Sequence, residues 1–146
     1  MDQRLIRILT VDDHPLLRKG IAALVNTELD MKLVAEAANG QEAIEAAKRL
    51  QPDVMLMDIN MNPVNGIEAT RTIRGFDADI KIIGVSVQAE RSYVNEMLRN
   101  GANGYVTKNS PSTEMVMAID EVLAGKTYIC EEVGHLRPVA VPVARS

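Results

Sequence analysis

The sequence has no tryptophan, one phenylalanine and three tyrosines, so its core has to be aliphatic, filled by Ile, Val, Leu, Ala and eight methionines. Its one cysteine, Cys130, excludes an internal disulfide, and no zinc-type Cys/His spacing accompanies it; a reducing compartment fits. No apolar stretch approaches the roughly 20 residues that a membrane-spanning helix needs. The amino-terminal run MDQRLIRILTVDDH has too short an apolar part, broken by charge, for a secretory leader. The expectation is a cytoplasmic protein without membrane contact. A basic excess is also missing. Lys and Arg number 16 against 20 Asp and Glu, and the net charge of −4 argues against direct nucleic-acid binding by this chain. Its 146 residues suit one globular domain and show no internal repeat.

What is present is an alternation of short apolar runs and helical stripes. Residues 5–11 read as a buried strand that stops at Asp12-Asp13-His14-Pro15. Pro15 suits the first turn of a helix, and Leu16, Leu17, Ile21, Leu24 and Val25 follow at helical spacing. Residues 32–37 make a second strand. Asn39 with Glu42 three positions on reads as a capping box, opening a helix that Pro52 ends. Residues 54–57 form a third strand ending at Asp58, followed by a loop with turn chemistry (Asn60, Asn62, Pro63, Asn65, Gly66) and a helix over 67–73. Residues 80–85 form a fourth strand ending at Ser86; the helix after it closes at Asn100-Gly101. Residues 104–107 form a fifth strand ending at Lys108. Ser110-Pro111 reads as the cap and first turn of a last helix, which Gly125 stops.

Five apolar strands separated by helices imply a parallel sheet covered on both faces. With right-handed crossovers the solution at this size is a flavodoxin-like (βα)5 doubly wound sheet of order 2-1-3-4-5. Sites in such sheets lie at the carboxyl ends of the strands. In that order the four consecutive strands 1, 3, 4 and 5 end in Asp12-Asp13, Asp58, Ser86 and Lys108, so these residues meet on one rim. Each alone has a plainer reading: the aspartates as helix cap or turn residues, Lys108 and Ser86 as loop residues. Their coincidence at consecutive strand ends favours a site. The domain is expected over residues 1–125. Residues 126–146, broken by Pro138 and Pro142, read as a linker or tail, with no helix-turn-helix output domain in this chain.

Three carboxylates at one rim repel: a like-charged pair 4 Å apart costs about 4 kcal/mol at an effective dielectric of 20. Protonating one of them or binding a cation relieves this, and an all-oxygen site beside a phosphate suits Mg²⁺. A carboxylate can also attack phosphorus to give an acyl phosphate, with an ammonium and a hydroxyl neutralising the phosphoryl oxygens.

The segments VDDHP (11–15), LMDINMNPVNG (56–66), GVSVQ (84–88) and GYVTK (104–108) resemble the receiver domains of two-component response regulators over about residues 4–124. VDDHPLLRKGI and NGIEATR resemble the NarL/FixJ subfamily, whose receivers precede a LuxR-type helix-turn-helix. The resemblance implies that Asp58 is the phosphoacceptor. It implies that Asp13, Asp58 and the Asn60 carbonyl ligate Mg²⁺ (Mn²⁺ substituting), with Asp12 acting largely through water. Lys108 would pair with the acidic site and the phosphoryl group, Ser86 would move to bond that group, and the Tyr105 rotamer would follow Ser86. Asn60 and Gln88 would tune hydrolysis, and His14 would be structural. The family pattern places Met-Pro after the phosphoacceptor with proline four positions on; here position 62 is Asn and the proline is Pro63.

The function expected is a switch phosphorylated by a histidine kinase, homodimerising when phosphorylated, and part of a transcriptional regulator that meets DNA only through an output domain outside this chain. It would catalyse its own phosphorylation and dephosphorylation without being a turnover enzyme. The alternatives are a stand-alone receiver acting by protein contact, a receiver that works without phosphorylation, and an aspartate-nucleophile phosphatase of the haloacid dehalogenase type. The last needs an acid two residues after the nucleophile, where this chain has Asn60.

Overall fold

A computed structural model describes residues 4–61, 63–87 and 91–134. The elements run β1 (Ile6–Val11), α1 (Pro15–Asn26), β2 (Met31–Ala37), α2 (Gly40–Leu50), β3 (Val54–Asp58), α3 (Gly66–Arg74), β4 (Lys81–Ser86), α4 (Arg91–Arg99), β5 (Gly104–Thr107), α5 (Ser112–Leu123), β6 (Tyr128–Ile129) and α6 (Glu131–Gly134). All pairings are parallel, in the order β2-β1-β3-β4-β5-β6. The expected doubly wound order 2-1-3-4-5 is therefore present, with one more strand outside β5.

The central strands are buried on both faces: every residue of β3 and β5 is buried, as the absence of polar alternation foretold. Met55, Leu56, Met57, Ile82, Ile83 and Met97 are among the largest fully buried side chains, an aliphatic and thioether core in a chain without tryptophan. Local signals fix the helix ends. Asn39 accepts the Glu42 amide as N-cap of α2, while the Glu42 carboxylate reaches past it to the Ala38 amide. Asn65 and Glu68 form a complete capping box at α3. Gly101, at φ +110, turns the chain out of α4, and Ala102 N then donates to Met97 O.

Two expectations need correction. Ser110 does not cap α5: the N-cap is Pro111, and the Ser110 hydroxyl turns back to Thr107, 3.3 Å from its amide and 3.2 Å from its hydroxyl. Nor does the packed structure stop at 125. Residues 128–134 form β6 and α6, and Cys130 and Val133 are as buried as any core residue. A two-residue strand leaves no readable periodicity, and its stability comes from pairing with β5. The rest of the expected tail, residues 135–146, lies outside the described residues.

Candidate functional site

Parallel register builds the rim. Val11 lies opposite Met57, so the next residues, Asp12 and Asp58, emerge side by side where both strands end. Asp58 pairs across to Val85 and Ser86 to Thr107, which brings Ser86 and Lys108 to the same edge. Behind Asp58 the backbone is held close: a Cβ on Gly66 would collide with the Asp58 carbonyl oxygen, and Gly66 N donates to Ile59 O at 2.9 Å. Only glycine permits that approach, and it fixes the loop that carries Asn60.

The structure brings Asp12, Asp13, Asp58 and Lys108 together. Lys108 Nζ lies 3.1 Å from Asp12 Oδ2 and 3.2 Å from Asp58 Oδ1, with both carboxylates almost wholly buried. Asn60 N donates to Asp58 Oδ1 at 3.3 Å. The other oxygen, Asp58 Oδ2, is buried and has no hydrogen-bond partner; among the described residues Thr10 Oγ1 alone shares that condition. Asp13 is more exposed and meets the cluster through His14, whose Nδ1 is 2.9 Å from both Asp12 Oδ1 and Asp13 Oδ1. Ligand atoms of Asp12, Asp13, His14 and Asp58 all fall within 4.8 Å of one another.

Burial raises the Asp58 carboxyl above its ordinary value, the Asp12 charge raises it further, and Lys108 and the Asn60 amide oppose them. One lysine thus serves two buried carboxylates, and the balance still favours adding positive charge. A buried carboxylate oxygen without a donor is costly unless a ligand or ion completes it. Oxygen donors from three aspartates, with one of those oxygens unpartnered, fit a hard divalent cation. The residues present can therefore hold a metal.

The remaining expected residues divide. Ser86 is fully buried and its carbonyl accepts the Lys108 amide at 2.8 Å. Tyr105 is also fully buried; a Cβ placed on Gly84 would lie 3.5 Å from its Cδ2 and 2.9 Å from Met97 Cε, so ring, glycine and methionine are close neighbours. Gln88 and Asn62 lie outside the described residues. Two residues that sequence reasoning did not assign to the site support it from behind. Arg18 Nη1 donates to the Asp12 carbonyl at 2.5 Å, and its Nε reaches Glu36 at 3.2 Å, pinning the loop that aims the acidic pair. His14 N also donates to Asp12 Oδ1 at 2.8 Å. No side-chain pattern in the sequence pointed to Arg18, because its partner is a backbone carbonyl six residues back.

A family model for the response regulator receiver domain matches residues 8–120. The chain is 36% identical over 135 residues to the transcriptional regulatory protein DegU of Brevibacillus brevis, covering 92% of this chain and 57% of that one. It is 40% identical over 131 residues to the response regulator GacA of Pseudomonas viridiflava, covering 90% and 61%. Among solved structures, a two-component response regulator of the LuxR family from Aurantimonas sp. SI85-9A1 superposes with a TM-score of 0.86 at 35% identity, over 90% of this chain and 94% of that one. The chain spans about three-fifths of the length of the curated relatives it matches.

Proposed function

This chain belongs to the response regulator receiver domain family, and on that premise we propose that it is a signalling switch set by phosphoryl transfer to Asp58. The observation that carries the reading is Asp58 Oδ2: a buried, unpartnered carboxylate oxygen on the strand end where Asp12, Asp13 and Lys108 converge.

In the transfer, an Asp58 oxygen forms a bond to phosphorus. The P–N bond of a kinase phosphohistidine breaks, or the P–O bond of an acyl phosphate, and the bonding pair leaves with the donor. The other Asp58 oxygen stays held by Lys108 and the Asn60 amide. Lys108 then shares its charge with the phosphoryl oxygens, and the Ser86 hydroxyl turns to donate to one of them. Mg²⁺, held by Asp13, Asp58 and the Asn60 carbonyl with Asp12 through water, would neutralise charge on the transferring group. Asn60 and Gln88 would set how readily water attacks the acyl phosphate afterwards. The protein is switched once per transfer and is not a turnover enzyme.

Response to the charge at Asp58 passes to Ser86 and Tyr105. The partners of this reading are a sensor histidine kinase and a second copy of the phosphorylated chain. The LuxR-family and transcriptional names of its relatives support a DNA-binding output domain beyond residue 146. No helix among the described residues is long and apolar enough to cross a membrane, and a cytoplasmic site of action is part of the proposal.

Incubation with Mg²⁺ and acetyl phosphate tests it. Wild type should gain one phosphoryl mass and Asp58→Ala none. Equal gain by both, or none by wild type, would sink the reading.

A further inference from the structure

The segment after α5 is tied to the strand that feeds the site. Tyr128 lies opposite Gly104 of β5 and Ile129 opposite Tyr105. Tyr128 N donates to Asn103 O at 3.1 Å, and Cys130 N donates to Tyr105 O at 3.0 Å. One carboxylate on α5 holds the segment down: Glu114 Oε2 accepts from the Tyr128 hydroxyl at 2.7 Å and from Glu131 N, the first residue of α6, at 2.8 Å. Burial, and then the bond and charge of Glu114, push the Tyr128 phenol upward, so it remains a donor at physiological pH. Cys130 and Val133 are fully enclosed.

The other end of β5 leads through Thr107 to Lys108, so the clip and the site share a strand four residues long. The Tyr105 ring is turned into the protein beside Gly84, and Ser86 lies two residues further on the same face of β4. A ring turned outward over the edge of β5 would meet the volume that β6 fills. Docked segment and inward ring therefore belong to one state.

We propose that residues 126–134 are a clip, latched by Glu114, that is favoured by occupancy of the Asp58 site and strengthens that occupancy in return. The proposal rests on Asp58 as phosphoacceptor and adds the element that reports its state. A phosphoryl group that draws the Ser86 hydroxyl toward Asp58 frees space on the ring's side. That favours the inward ring, and the inward ring favours the clip. Such coupling is reciprocal.

The sole cysteine, Cys130, makes the test direct in the intact chain. Tyr128→Phe removes the phenol's bond to Glu114, and Glu114→Leu removes both bonds that Glu114 accepts, with little change in bulk. Both should label with a thiol reagent about tenfold or more faster than wild type, the effect of at least one lost charge-assisted bond, with melting temperatures close to wild type. Mg²⁺ with beryllofluoride, whose binding is read by fluorine resonance, should slow wild-type labelling about threefold or more, and both variants should bind the probe more weakly by a similar factor. Bound beryllofluoride with unchanged or faster labelling would overturn the clip and leave Asp58 standing. Equal labelling of variants and wild type would also overturn it. No bound resonance in wild type would overturn the Asp58 reading and, with it, the clip's input.

Discussion

Aspartates gather at both ends of this parallel sheet, and the two gatherings differ in how their oxygens are satisfied. At the amino ends of the strands, Asp53, Asp77 and Asp79 line a cavity of about 310 Å³ with Lys81. There Asp53 Oδ1 takes the Arg4 guanidinium and Oδ2 the Arg7 amide, both at 2.8 Å, while Asp77 Oδ1 takes the amides of Asp79 and Ile80. These carboxylates close turns and anchor strand starts. At the carboxyl ends, Asp12 and Asp58 are enclosed, share one lysine, and leave one oxygen without a donor. The cavity beside them, between α1 and α5, is smaller, about 160 Å³. Neither the number of acids nor the size of the hollow marks the site; the unsatisfied buried charge does.

The strongest way to break this contrast is Lys108→Ala. It leaves Asp12 and Asp58 facing each other in a dry site, and metal-free protein near neutral pH should lose about 3 kcal/mol by urea unfolding. Phosphoryl transfer from acetyl phosphate should slow about a hundredfold or more, as when a charge-stabilising donor is removed. Gly66→Ala should come next, with a loss of about 2 kcal/mol from the forced shift of the Asp58 backbone, together with slower phosphorylation; a stability loss alone would show that the close approach serves only the fold.

Asp58→Asn should act in the opposite direction. The folded carboxyl is raised above 3.8, mainly by burial, so the folded protein holds this proton more tightly than the unfolded chain does. Its favourable contribution is complete below the unfolded value and is lost as pH rises through the folded one. The variant cannot ionise, so with chelator present it should overtake wild type as pH rises toward neutrality. Thermal melts across that range check it; a gap independent of pH would contradict the account. At the other end of the sheet, Asp53→Asn should cost under about 1 kcal/mol, since its ion pair with Arg4 is exposed. It should leave phosphorylation unchanged.

The contrast also explains what the sequence made legible. Strand ends at Asp12, Asp58, Ser86 and Lys108 could be read because each mainly apolar run stops at an acid, a hydroxyl or an ammonium, at or just past the strand's end. The caps at Asn39 and Asn65 and the turn at Gly101 follow from local chemistry. Ser110 misled because a hydroxyl before proline can cap forward or bond backward, and the neighbouring Thr107 hydroxyl decides between them. β6 was hidden because two residues carry no period; its partners are the edge of β5 and Glu114, at 14 residues' remove. Arg18 was hidden for a related reason: its task is a backbone carbonyl in the loop before its own helix.

The most direct measurement is chemical trapping of the acyl phosphate. After brief exposure to acetyl phosphate and Mg²⁺, borohydride reduction and peptide mass mapping should find the aspartate at position 58, and no other, reduced to homoserine. Reduction at Asp12 or Asp13, or no reduced aspartate in protein that has gained phosphoryl mass, would contradict the assignment of Asp58.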